Sequence, residues 1–141
     1  MDSTIFSYQP LTSTTMIRLL KLHQQSDDEE IRSSLEFADL DDQDLDYEAL
    51  SYCWGPPVLC RRLRVGEAYL GITQNLHDAL ERLQLPTEDR MIWVDAICID
   101  QNSVSEKNHQ VGLMSRIYTQ CSTCIVYLGP EADSSELILA S

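Results

Sequence analysis

Apolar residues crowd most densely into Met91-Ile-Trp-Val-Asp-Ala-Ile-Cys-Ile99, where Asp95 is the single exception. A run of that length without polar alternation predicts a strand covered on both faces, of the kind found inside a parallel sheet. Alternation along it would send Ile92, Val94, Ala96 and Cys98 one way and Trp93, Asp95, Ile97 and Ile99 the other. The run ends in Asp100-Gln101-Asn102, polar groups placed where a strand hands over to a helix. In open α/β sheets ligands gather at such carboxyl ends, beside helix N-termini.

Shorter patterns surround it. Met16-Ile-Arg-Leu-Leu-Lys-Leu22 lacks turn signals, and Ile31-Arg-Ser-Ser-Leu-Glu-Phe37 alternates. Together they predict an antiparallel strand pair at a sheet edge. Tyr47-Glu-Ala-Leu-Ser-Tyr-Cys-Trp-Gly55 begins as a strand and stops at Pro56-Pro57, which cannot continue a ladder. Arg61–Val65 and Tyr69–Ile72 suit a small hairpin. Thr73 or Asn75 caps a helix with Leu76, Ala79, Leu80 and Leu83 on one face, closed by Pro86. Ser103-Val-Ser-Glu106 has the form of a capping box, and Val111, Met114, Ile117, Tyr118 and Cys121 would make the apolar face of the following helix. Cys124–Leu128 reads as another buried strand, ended by Gly129-Pro130, and Ser134–Leu139 as the start of a further helix. Strand, helix, strand on short connections calls for parallel pairing, hence an α/β or α+β sheet with helices packed on it.

The 141 residues, 43% of them hydrophobic, suit one domain. The terminal helix, about two turns long, is too short to stand alone and suggests the cut end of a longer protein. A formal charge of −13 argues against nucleic acid as a partner. The acidity is concentrated between Asp27 and Glu48, in segments that read as solvated loops. Five cysteines and an N-terminus without the basic and apolar regions of a secretory signal point to reduced thiols and a cytoplasmic location. No apolar run reaches the roughly 18 to 20 residues that cross a bilayer, so direct membrane insertion is not expected.

Tyr47–Gly55, then Ile72-Thr-Gln-Asn-Leu76 with Ala79-Leu80, then Ile92-Trp-Val-Asp-Ala-Ile-Cys-Ile-Asp-Gln101 with Glu106, Gln110, Val111, Met114, Ile117 and Tyr118, and finally Val126-Tyr-Leu-Gly129, resemble in content and order the fungal heterokaryon incompatibility (HET) domain. The match spans about residues 47–129, with a weaker likeness at Ile17-Arg-Leu19. Cys121 departs from the alanine frequent in the family, and Asp100 stands where asparagine is as common. The resemblance implies a domain that triggers regulated cell death when incompatible fungal cells fuse, often within a larger receptor-like protein, with other incompatibility proteins as partners. The family is in turn similar to Toll-type (TIR) signalling domains, which implies a flavodoxin-like, mostly parallel sheet and self-association. It also implies cleavage of NAD at the nicotinamide bond as one mechanism, with NAD as substrate and no resident cofactor.

Two mechanisms stand side by side: an NAD glycohydrolase formed on self-association, and a non-enzymatic interaction module. In the first, Glu106 is the catalytic acid implied by the resemblance, since a carboxylate near the ribose stabilises oxocarbenium character; in the second it is the third residue of the capping box. Asp95 either joins that chemistry at the ribose or ties backbone donors within the fold. Asp100, Gln101 and Asn102 either contact a sugar or phosphate or form the turn before the helix. Ser51, Trp54 and Gly55, at the end of a neighbouring strand, would share the rim, with the Trp54 face available to a purine or nicotinamide. Cys98 with His109 makes a poor hydrolase pair, because an apolar strand does not activate a thiol. Cys121 and Cys124 lack the second pair a zinc site needs. His23 and His77 read as surface residues, and no glycine-rich phosphate loop is present.

Overall fold

A computed structural model of the chain describes residues 5–27 and 30–128 and the backbone of 137–140. The first strand, β1 (Met16–Leu22), carries an almost unbroken apolar run and is buried along nearly its whole length. It pairs antiparallel with β2 (Arg32–Asp39), as expected, in register from Met16 opposite Asp39 to Leu22 opposite Ser33. The pair lies inside the sheet rather than at its edge. Both faces of β1 are apolar, so a neighbour on its other side adds burial that an edge would forfeit.

The remaining strands are β3 (Glu48–Tyr52), β4 (Arg61–Val65), β5 (Ala68–Ile72), β6 (Arg90–Trp93), β7 (Thr123–Tyr127) and β8 (Leu137–Ala140). They complete one sheet in the order β5-β4-β2-β1-β6-β3-β7-β8. The expected hairpin forms between β4 and β5 around Gly66, whose positive φ a tight turn favours. A mostly parallel sheet is not what results. Parallel pairing holds β6-β3-β7 together and joins β2 to β4, while β1 to β2, β1 to β6, β4 to β5 and β7 to β8 are antiparallel. Short connections around the acidic loop and the hairpin can only return antiparallel, which makes the α/β sheet mixed.

Helix α1 (Gln74–Leu83) starts at Thr73, whose hydroxyl accepts the Leu76 N–H, and buries the expected Leu76, Ala79, Leu80 and Leu83. His77, read as exposed, is buried on the same helix and receives the Arg61 guanidinium at 3.1 Å. The run Met91–Ile99 is not one strand. It is β6, then the single turn α2 (Asp95–Cys98), with Val94 extended between them and accepting the Cys98 N–H at 2.8 Å. A short apolar run fits a buried strand or a buried helical turn equally well. Asp95 suits the turn, because a carboxylate in the first turn of a helix stands beside its free backbone donors.

Helix α3 (Val104–Gln120) buries Gln110 and Ile117 and half-buries Leu113, Met114 and Tyr118. Val111, expected on the apolar face, is 55% exposed: Gln110 turns inward instead and donates to the Met16 carbonyl. Trp93 is fully buried, edge-on to Tyr118 with ring centroids 5.6 Å apart, and the Tyr47 hydroxyl donates to the Ile117 carbonyl. The helix expected at Ser134–Leu139 is a strand over its described part, since β8 pairs with the open side of β7 from Leu137 opposite Tyr127. Gly129, Pro130 and 134–136 lie outside the described residues. Among the described residues, no helix is long and apolar enough to cross a membrane.

Candidate functional site

In the parallel core β3 lies between β6 and β7, although β6 precedes β7 in the chain. The chain leaves β3 toward β6 on one side and then crosses back past β3 to β7 on the other, and in open α/β sheets the strand ends at such a reversal, or switch point, hold ligands. A cleft of about 240 Å³ opens beside these ends. Trp54, Asp100, Gln101 and Asn102 line it, together with Tyr8, Tyr52, Thr73, Ala96 and the aliphatic Leu59, Leu70, Ile72 and Leu76.

Two aromatic rings shape one side. Trp54, 46% exposed, lies nearly parallel to Tyr52 at a centroid distance of 6.0 Å. The turn that delivers Trp54 depends on Gly55, whose φ is +63° and whose missing side chain leaves room for the Asn75 amide. Asn75 in turn donates to the Cys53 carbonyl at 2.9 Å. Gly55 thus builds the rim without lining the cleft.

The opposite side is the loop after α2. Asp100 accepts the Asn102 N–H at 3.1 Å and its carbonyl accepts the Ser103 N–H, a self-contained turn. The Gln101 amide donates to the carbonyls of Asp95 and Ile99, which seals α2 to the loop.

The remaining predicted residues lie elsewhere. Ser51 is exposed between buried Leu50 and Tyr52 and, by strand alternation, faces away from Tyr52. Asp95 is half-buried and does not line the cleft; burial raises its pKa against the local N–H groups and Lys107. It bears electrostatically on Tyr52 and Tyr118, whose hydroxyls are pushed up to about 12, first by burial and then by that carboxylate.

Glu106 lines a different, shallow depression with Pro10, Ser103 and His109. Its carboxylate accepts Arg18 at 2.6 and 2.9 Å and the Asp100 N–H at 2.6 Å. Burial would raise its pKa, but these donors outweigh burial and hold it below the usual glutamate value. Only half of the expected capping box exists: Ser103 accepts the Glu106 N–H at 3.2 Å, while the Glu106 side chain goes to Arg18 rather than back to Ser103.

Arg18 and Tyr8 were not singled out in the sequence. Arg18 is 3% exposed and also donates to the carbonyls of Gln9 and Cys98, with its guanidinium 4.9 Å from the Tyr8 ring centre. Tyr8 donates to the Ile97 carbonyl at 2.6 Å and forms a wall of the cleft. A lone arginine inside an apolar strand carries the same signal as Asp95, a buried charge that needs a partner. Tyr8 carries no comparable signal.

Cys98 is fully buried, and burial pushes its thiol up to about 12, while the His109 ring is bonded to the Thr14 carbonyl. No nucleophile and base pair forms there. The Cys121 thiol is taken by the Tyr118 carbonyl.

The family model described as "Heterokaryon incompatibility protein (HET)" matches residues 47–141. The Neurospora crassa protein "Heterokaryon incompatibility protein 6, OR allele" is 32% identical over 152 residues, covering 96% of this chain. The chain spans 22% of that relative's length. No solved structure matches.

Proposed function

Because the chain belongs to the heterokaryon incompatibility family, we propose that it is the effector domain of a longer protein that triggers death of fungal cells after incompatible fusion, and that it receives a small ligand at the cleft. The observation that carries the ligand reading is the meeting of Trp54, Tyr52 and Asp100–Asn102 at the strand ends. The volume suits one substituted ring; a whole dinucleotide would extend into solvent. Self-association in the cytoplasm and contact with receptor-like incompatibility proteins belong to this reading. The β6-β3-β7 order, with helices between the strands, supports a distant TIR-like kinship.

NAD cleavage is the second reading, favoured by a flat aromatic face beside the switch point and by an ionised glutamate one loop away. Glu106 is spent on Arg18 and Asp100, so in that mechanism assembly has to redirect its carboxylate toward the cleft. As the domain stands, its geometry favours the binding module.

Expression of the full-length protein in fungal hyphae tests the main reading. Trp54→Ala should greatly reduce cell death while leaving expression and the melting temperature of the purified domain within a few degrees. Undiminished killing by Trp54→Ala would refute a role for the cleft. Concentrated wild-type protein incubated with NAD decides the second reading, through release of nicotinamide and its loss in a Glu106→Gln variant whose melting curve shows a folded domain.

A further inference from the structure

Helix α1 carries a group of metal-ligating side chains away from the cleft. His77, Asp78 and Glu81 each offer one ligand atom, and these three atoms lie within 4.8 Å of one another. Helix geometry brings them together: His77 and Glu81 are four residues apart and Asp78 and Glu81 three, so they meet on one flank of α1. A tetrahedral zinc ion holds nitrogen and oxygen donors at roughly 2.0 to 2.2 Å, hence about 3.3 Å from each other. The remaining gap is within reach of side-chain rotation, since Glu81 is exposed and Asp78 half-buried.

Two carboxylates on a helix surface are ordinary. The buried imidazole beside them is not. His77 is 6% exposed, and its Nδ1 has no hydrogen-bond partner, with Asp78 Oδ1 too far at 4.0 Å. A buried ring nitrogen left unpaired gives up free energy that a cation between it and the carboxylates would restore. Asp78 is already oriented, because its Oδ1 accepts the Gln74 amide at 2.8 Å, the kind of outer support that fixes a ligating carboxylate.

Arg61 opposes the site. Its guanidinium lies 3.1 Å from His77 Nε2 and can only donate there, which places the ring proton on Nδ1. A cation on Nδ1 shifts that proton to Nε2 and turns Arg61 away. Arg61 is exposed and its contact with Gln74 is long, at 3.4 Å, so it has freedom to leave.

We infer that His77 Nδ1, with one carboxylate oxygen each from Asp78 and Glu81, forms a site for a divalent transition-metal ion, zinc foremost, and that Arg61 competes with the ion for the imidazole. One nitrogen and two oxygens suit zinc and disfavour magnesium, which asks for oxygen and keeps its waters. Three protein ligands leave a fourth position to water. None of the three residues lines the cleft, so the site does not depend on the ligand reading given to it.

The untagged chain is titrated with zinc chloride by calorimetry in a non-chelating buffer. A single site of micromolar affinity is expected, with a melting temperature that rises with zinc concentration by mass action and no binding of magnesium at the same concentrations. Glu81→Gln, a change at an exposed position, and His77→Ala, with its metal-free melting curve checked, should each weaken binding by at least the roughly tenfold that loss of even an outer partner costs. Arg61→Gln should tighten it. Cobalt in place of zinc should give the weak visible bands of nitrogen and oxygen ligation, without the strong near-ultraviolet band that binding by the exposed Cys53 or Cys60 would produce. No zinc binding at micromolar concentrations, an affinity that Glu81→Gln or His77→Ala leaves unchanged, an affinity that Arg61→Gln fails to raise, or a thiolate band would each overturn the assignment.

Discussion

Arg18 and Glu106 form the most consequential pair of side chains outside the cleft. Their ion pair has side-chain exposures of 3% and 12%, and it joins β1, the Gln9 segment and the loop after α2. Glu106→Ala would leave the buried guanidinium with two carbonyls and no counter-charge. Breaking such a pair on one side costs about 3 to 5 kcal/mol. We expect a large fall in the urea midpoint at pH 7, partly recovered in the double variant with Arg18→Leu. The pH dependence follows in sign. The Glu106 pKa is depressed in the folded state, so its stabilisation is complete above the unfolded glutamate value and is lost as pH falls through the folded one. Wild type should therefore lose stability on acidification while Glu106→Ala loses less, and parallel pH profiles for the two proteins would contradict the pairing argument. A Glu106 variant that kills the protein's activity is thus ambiguous until its melting curve is known.

At the scale of elements, the rim is set by turns more than by strands. Gly55 adopts a left-handed φ and a Cβ there would overlap the Asn75 amide, so Gly55→Ala strains the backbone and breaks the Asn75 to Cys53 link together. We expect a loss of about 1 to 3 kcal/mol, with altered Trp54 emission. Gly112→Ala, on an exposed turn of α3 with nothing within 4 Å of the added carbon, should instead stabilise by up to about 1 kcal/mol. Denaturant midpoints of the two variants should move in opposite directions. These elements also show what was legible beforehand. Local signals sufficed for the hairpin at Gly66 and for helix α1 with its Thr73 cap, because turn chemistry and 3.6-residue periodicity act over a few residues. They failed at Val94–Cys98, where apolar content is equal for strand and helix, and at Leu137–Ala140, where the open side of β7 rather than local sequence decides. For the rim, Trp54 and Asp100–Asn102 were readable as strand-end residues. Tyr52 was not, since it reads as an ordinary core tyrosine, and Tyr8 reaches the cleft through tertiary contacts, its bond to Ile97 and its ring against Arg18.

At the scale of the molecule, charge opposes compactness. A formal charge of −13 on 141 residues, with eleven of 23 acids between Asp27 and Glu48, repels itself both within one copy and between copies. The exposed pairs that answer it, such as Arg62 with Glu30 and Arg116 with Asp41, each contribute on the order of 0 to 1 kcal/mol and weaken in salt. Self-repulsion among so many like charges should outweigh them, while the buried Arg18–Glu106 pair is screened far less. The melting temperature should therefore rise between low salt and about 0.5 M sodium chloride, where the screening length falls well below about 10 Å. Sedimentation of the concentrated domain over the same range should show association growing with salt, because the barrier between copies is screened by the same ions. If the melting temperature falls instead, attractive surface pairs dominate.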